Sequence, residues 1–282
     1  MTLKNQKIEL LVGVCVTEKD WISYKNSILH SLSCIEKHWK NDCIFYIVIQ
    51  NKNFLSKAET NLDKNKKILY TPIENVSTAR NACIKKAKEL KVKFILFHDA
   101  SISWTNSAAY FLHKNREKNI TLKANVSFSS FHDDSQFHFT ATKCKINPIY
   151  EPYVWSYLFS LDKIKDLYFN ENFGPGQYTR FKSGEDVLFL FDYFNNNSFH
   201  VLTNKNAKIH HPPRDSQYSK HLTYALGQGK MFRILLSNNK TPSIYRDIFL
   251  FFGNSFFRCL LLRPNSFKIL RHRFQGFFNE DL

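Results

Sequence analysis

Uninterrupted apolar runs and amphipathic stretches alternate through the first hundred residues. Ile8 to Val16 (IELLVGVCV), Cys43 to Ile49 and Phe94-Ile95-Leu96-Phe97 are runs of strand length, the mark of strands buried on both faces of a sheet. Ile68-Leu69-Tyr70 is a shorter strand that Pro72 stops. Trp21, Ile28, Leu32 and Ile35 recur at helical spacing and predict a helix over Trp21 to His38. A polar, Lys-rich helix or loop leads to the strand at Ile68, and Asn75-Val76-Ser77-Thr78 caps a helix running to about Leu90. Strands alternating with helices predict an α/β fold with a parallel sheet and right-handed crossovers. In such sheets ligands bind beyond the carboxyl ends of the strands. That edge gathers Thr17, Glu18, Gln50, Asn51, Arg80 and Asp99.

The pattern then changes. A helix is expected from Trp104 to Lys118. Ala124 to Phe131 alternates as a strand, with Phe137 to Thr142 as its partner and His132-Asp133-Asp134 in the turn. That turn reads as solvated, with a metal cluster as the sharper alternative. Tyr153 to Phe159 is an aromatic strand, either core or the wall of an acceptor site. Phe169-Asn170-Glu171-Asn172-Phe173-Gly174 precedes Ser183-Gly184-Glu185-Asp186, whose acids open an apolar helix through Phe194. Paired acids at a helix start commonly serve as capping groups. His210-His211-Pro212-Pro213-Arg214 follows, and then a helix from Tyr218 to Leu236 with an interruption at Gly227-Gln228-Gly229.

Two of these stretches carry a resemblance. Ser77-Thr78-Ala79-Arg80-Asn81 with a strand ending at Asp99, and the later Glu185-Asp186 pair, resemble the family-2 glycosyltransferases of GT-A fold. The resemblance covers about residues 6–235. In that family the first segment reads S-x-A-R-N and its strand ends in D-x-D; here Ser101 stands for the second acid. The second strand usually ends in Asp, where this chain has Gln50.

The resemblance implies a GT-A, Rossmann-like mixed sheet flanked by helices. It implies an inverting transfer of sugar from a nucleotide-diphosphate sugar to a hydroxyl. Thr17, Glu18, Gln50, Ser77, Arg80, Asp99 and Ser101 would hold the donor, with Arg80 near the phosphates. Asp186 would be the base, with Glu185 orienting the acceptor. Asp99 with His210 or His211 would bind Mn²⁺ or Mg²⁺, and Arg214 could face the diphosphate. The Y-x-x-G-x-G segment would close over the substrates. A surface-helix role for Arg80 and a strand-terminating role for the histidines are the plainer alternatives.

Composition adds a partner. The 282 residues carry 40 Lys and Arg against 24 Asp and Glu, a net +16, which suits a polyanion or an anionic surface. From Lys240 to Arg273 seven basic residues and one acid alternate with Phe and Leu blocks. This suits helices lying in a membrane interface, although packing on the core or a dimer contact would also use them. The expected organisation is a transferase domain over residues 1–236 and a helical, basic, aromatic extension over 237–282.

Six cysteines without a C-x-x-C pair read as reduced core residues, and no signal peptide or spanning segment is evident. The expected location is the cytoplasm, peripheral on the inner face of the cell membrane. The acceptor would be a saccharide or lipid-linked saccharide, as in capsule, lipopolysaccharide or O-antigen synthesis. A sugar-phosphate transferase or nucleotidyltransferase on a similar sheet is the alternative. A non-enzymatic polyanion-binding protein is a further one, though no nucleic-acid motif supports it.

Overall fold

The computed structural model describes residues 8–51, 53, 58–72, 75–131, 140–195, 199–213 and 219–279. The His132-Asp133-Asp134 turn, the first half of the strand expected from Phe137, Arg214 and Tyr218 lie outside them. In chain order the elements are β1 (Leu10–Thr17), α1 (Glu18–Trp39), β2 (Cys43–Gln50), β3 (Ala58–Asp63), β4 (Lys66–Thr71), α2 (Val76–Glu89), β5 (Phe94–Asp99), β6 (Ser103–Trp104) and α3 (Asn106–Asn115). They continue with β7 (Thr121–Ser127), β8 (Thr142–Lys145), β9 (Tyr157–Ser160), α4 (Leu161–Ile164), α5 (Glu185–Tyr193), β10 (His200–His210), α6 (Ser219–Asn238), α7 (Pro242–Leu260) and α8 (Ser266–Phe278).

One ten-stranded sheet runs β3-β4-β2-β1-β5-β9-β7-β10-β6, with β8 on β10. β4, β2, β1 and β5 are parallel neighbours, as the apolar runs predict. β9 is antiparallel to both β5 and β7, and β7 is parallel to β10. The strands β1, β2, β4, β5, β7 and β10 therefore all deliver their carboxyl ends to one edge of the sheet. Thr17, Gln50, Asp99 and His210 lie along it.

Four expectations need correction. The segment before Ile68 is strand β3, antiparallel to β4, with every residue exposed and thus no apolar pattern to betray it. The strand expected over Ala124 to Phe131 begins earlier, at Thr121, and pairs with β9 and β10. Val154–Ser156 forms a 3₁₀ turn, so only Tyr157–Ser160 of the aromatic stretch is strand. The Gly227-Gln228-Gly229 segment does not interrupt α6, which is continuous.

Those glycines serve packing. A β-carbon on Gly227 would overlap the Ser183 backbone, and one on Gly229 would overlap Arg273 of α8. Gly276 of α8 lies equally close to Leu226 of α6. α6 and α8 thus cross with backbones nearly touching. Beneath them Phe173, Phe181, Leu188, Phe191, Met231, Phe232, Ile244 and Phe277 form an apolar cluster beside the main sheet core. α5, the helix opened by the two acids, is thereby fixed between sheet and C-terminal helices.

Gly276→Ala should destabilise the protein by about 1–3 kcal/mol through overpacking. Gly253, on α7, has open space where a β-carbon would stand. The same change there should gain about 0.4–1 kcal/mol through lower unfolded-state entropy. Urea denaturation of the two variants measures this; shifts of the same sign would contradict the packing role.

Candidate functional site

Ser77, Arg80 and Asn81 are three and four residues apart on α2 and so share one face of the helix. That face is buried against the loop preceding α5. The Ser77 hydroxyl donates to the Phe173 carbonyl at 2.7 Å. Asn81 Nδ2 donates to the Phe169 carbonyl at 2.9 Å and to Glu171 Oε1 at 2.8 Å, while its Oδ1 accepts from the Phe169 N–H at 2.8 Å. Asn75 caps α2 by accepting from Thr78 N–H and donates to the Glu171 carbonyl at 2.7 Å. The two stretches that the sequence singles out therefore hold each other.

Arg80 stands at their junction. Its side chain is 2% exposed. Nη1 donates to Asp186 Oδ1 at 2.5 Å and lies 3.8 Å from Glu185 Oε1. Nη2 lies 3.1 and 3.3 Å from the two oxygens of Asp99. The guanidinium also sits over the Phe169 ring at 5.2 Å, and Phe169 stacks on Phe189 of α5 at 4.0 Å. A surface-helix reading of Arg80 is thus excluded. A charge of this kind persists inside a protein only when paired, and here three carboxylates surround it.

Burial pushes the Glu185 carboxyl above its ordinary value, and the neighbouring Asp186 charge adds to the rise while Arg80 opposes it. Burial raises Asp186 as well, opposed by Arg80 and by a hydrogen bond from the Val154 backbone. The acids differ in access. The Asp99 and Asp186 side chains are 31% and 18% exposed, against 10% for Glu185. Gly174 and Gly184 make this arrangement possible: both have positive φ, 107° and 108°, which L side chains adopt only with strain. Gly184 starts α5, and Gly174 lies against the Glu185 carboxyl.

The remaining expected site residues divide into two groups. Ser101 and His211 come together at the sheet edge, Ser101 Oγ and His211 Nε2 being 3.5 Å apart. His211 also stacks on Trp155, with ring centroids 6.1 Å apart. Successive strand residues face opposite sides, so His210 turns inward, buried, with Nδ1 3.0 Å from Ser129 Oγ. Gln50 is buried too, donating to the Asn75 carbonyl at 2.9 Å, and Ser77 is wholly enclosed. Thr17 caps α1, and Glu18 accepts from Asn51 Nδ2 at 2.6 Å. Gln50, Ser77 and His210 thus have structural partners inside the fold.

The metal expectation fares less well on fit. Among the described residues, no three His, Cys, Asp or Glu side chains are grouped so as to hold a metal ion. Asp99 already turns both oxygens to Arg80. The described residues therefore make no metal cage by themselves. Asn75 caps α2 as the sequence predicts, but the roles of Asn81 and Phe169 were missed. Asn81 was legible from its helical spacing to Ser77, whereas nothing in the sequence places Phe169 under Arg80.

No protein-family model matches this chain, and no curated protein matches it in sequence. Solved structures do. A 1–349 fragment of Staphylococcus aureus TarS aligns with TM-score 0.53 at 16% identity, over 96% of this chain and 72% of the fragment. The same fragment in complex with UDP-GlcNAc aligns with TM-score 0.51 at 17% identity, over 81% and 66%. The longer TarS structure gives TM-score 0.52 at 17% identity, over 86% of this chain but only 42% of that one. TarS is a GT-A glycosyltransferase. At such identity the likeness speaks for architecture, and the architecture of this chain is the GT-A fold.

Proposed function

We propose that the chain is a glycosyltransferase using a nucleotide-diphosphate sugar, with Asp186 as the group that takes the acceptor proton. The observation that carries this reading is the convergence of Asp99 and Asp186 on one buried arginine at the carboxyl edge of a GT-A sheet. TarS binds UDP-GlcNAc in the same fold, which supports a donor of that class. In the reaction, the acceptor oxygen bonds to the anomeric carbon while the bond from that carbon to the diphosphate breaks. The proton passes to Asp186, the nucleoside diphosphate leaves, and a single displacement inverts the anomeric centre.

Exposure supports these roles. Asp186 reaches the surface, whereas Glu185 lies deeper beside Gly174. Arg80 orients the Asp186 carboxylate and favours its ionised form; buried under both exposed acids, it acts by positioning. A saccharide or lipid-linked saccharide acceptor, of the kind built into bacterial surface polysaccharides, follows from fold-level analogy. Asp99, with Ser101 and His211 at the sheet edge, would face the donor diphosphate. Because these groups form no cage, Mn²⁺ or Mg²⁺ is expected to bind there only together with the nucleotide.

Asp186→Asn should lower transfer by about 10²–10⁴-fold, the usual loss on removing a general base, with donor affinity nearly unchanged. Chromatography of products from a UDP-sugar screen measures this and shows whether nucleoside diphosphate is released, as opposed to monophosphate or pyrophosphate. A fully active Asp186→Asn beside an inert Glu185→Gln would exchange the two roles. Inactivity of the wild type with every sugar nucleotide would reject the reading.

The pH profile should carry the raised pKa of Asp186. A base works ionised, so activity should fall as pH drops through a value above the ordinary 3.8 of aspartate. An acid limb at or below that ordinary value would show that burial does not act on the catalytic group.

Asp99→Ala should weaken UDP-sugar binding in calorimetric titrations run with and without Mn²⁺. Unchanged affinity in both arms would remove Asp99 from the donor site. Saturable Mn²⁺ binding without nucleotide would overturn the expectation of joint binding.

A further inference from the structure

α7 is apolar on both faces: Ile244, Ile248, Phe251 and Phe252 pack inward on the apolar cluster. Its inward face also carries Asp247 and Ser255, both buried. Asp247 accepts from Asn147 Nδ2 at 2.8 Å and from the Tyr150 hydroxyl at 3.3 Å. The Ser255 hydroxyl accepts from Arg273 of α8, whose guanidinium also donates to Gln228 Oε1 at 3.0 Å and lies 4.0 Å from the Phe251 ring. The outward face is apolar as well. Phe249 is 75% exposed, and Phe256, Phe257 and Leu260 continue its stripe; Leu262 in the turn is 78% exposed, and Phe267 opens α8 at 64%.

A helix on a soluble surface turns a polar face outward. Of the nineteen exposed large apolar side chains among the described residues, eleven fall between Tyr245 and Phe278. Such concentration marks an interaction surface.

Charge selects the occupant. Residues 240–279 hold seven Lys and Arg and one acid, and that acid, Asp247, is 2% exposed and turned inward. Arg263, Lys268 and Arg271 are exposed beside the apolar stripe. In a symmetric dimer the same patch meets itself, which would set these cations against their own copies. Lipid phosphates have the opposite sign. No helix among the described residues is long and apolar enough to cross a membrane, so contact would be lateral, as for helices lying in the headgroup region.

We infer that the outer face of α7, the α7–α8 turn and α8 form an attachment surface for an anionic lipid bilayer. The Phe and Leu side chains enter the boundary between headgroups and acyl chains, and Arg263, Lys268 and Arg271 meet the phosphates. Residues 237–282 then act as an anchoring unit. Through the glycine crossings, α6 alone separates α8 from Ser183, next to the residues that open α5. A lipid-borne acceptor is the consequence for transfer, and only this consequence rests on the proposed function.

Flotation of the full-length chain with phosphatidylcholine vesicles, with and without phosphatidylglycerol, tests the surface. The wild type should float with the anionic vesicles only, and less so as salt is raised. A triple Arg263→Glu, Lys268→Glu, Arg271→Glu variant should lose on the order of 100-fold or more in partitioning, at about 1 kcal/mol per basic residue. A Phe256→Ser, Leu260→Ser, Leu262→Ser variant should also detach, with circular dichroism confirming that both remain folded. Wild-type protein that stays in solution, or variants that float as well as wild type, would overturn the inference. So would light scattering that finds a dimer which the serine variant dissolves, with no vesicle binding. Flotation involves no sugar transfer, so a negative result leaves the proposed function standing.

Discussion

The whole site depends on one enclosed guanidinium. Arg80 makes its ion pairs with carboxylates from two separate places in the chain, the end of β5 and the start of α5. Removing water from a charge is expensive, and the pairing recovers that loss only when geometry is good. Loss of the arginine would leave its carboxylate partners uncompensated in the interior. The arginine thus ties the sheet to α5 and sets the position of the two exposed acids at once. The asparagines and serine on its helix face reinforce this by fixing the loop backbone that leads into α5.

The parallel half of the sheet and the two chemical stretches were legible because their signals are local. The apolar runs became β1, β2 and β5, strands of six to eight residues, and a polar cap followed by helical spacing became α2. β3 was invisible because its side chains face solvent on the sheet margin, where backbone pairing alone holds it. The continuity of α6 was hidden for a different reason. Gly227 and Gly229 read locally as helix-breaking, while the reason for them lies on Ser183 and α8, distant in sequence.

Individual residues of the site show the same division. Asp99, Glu185 and Asp186 sit where strand-end and helix-start reasoning puts them. The enclosure of Ser77, Gln50 and His210 could not be read from residue type, since a hydroxyl, an amide or an imidazole serves a ligand and a backbone carbonyl equally well. Which of the adjacent histidines reaches the edge depends on strand register, and β10 contains a register shift between Asn204 and Lys208.

The span of chain between the clamped partners bears on the order of folding. Arg80 and Asp186 are 106 positions apart, Ser77 and Phe173 96, and Asn81 and Phe169 88. Contacts that far apart close large loops, whose entropy must be met before the contacts form. During vectorial synthesis β1, α1, β2, β4 and α2 emerge long before the segment that completes the arginine's surroundings. Until that segment arrives, the face of α2 that carries Ser77, Arg80 and Asn81 lacks the Phe169, Phe173 and Asp186 groups that satisfy it. When α5 arrives, the Asp186 carboxylate takes its position beside the arginine in that same event.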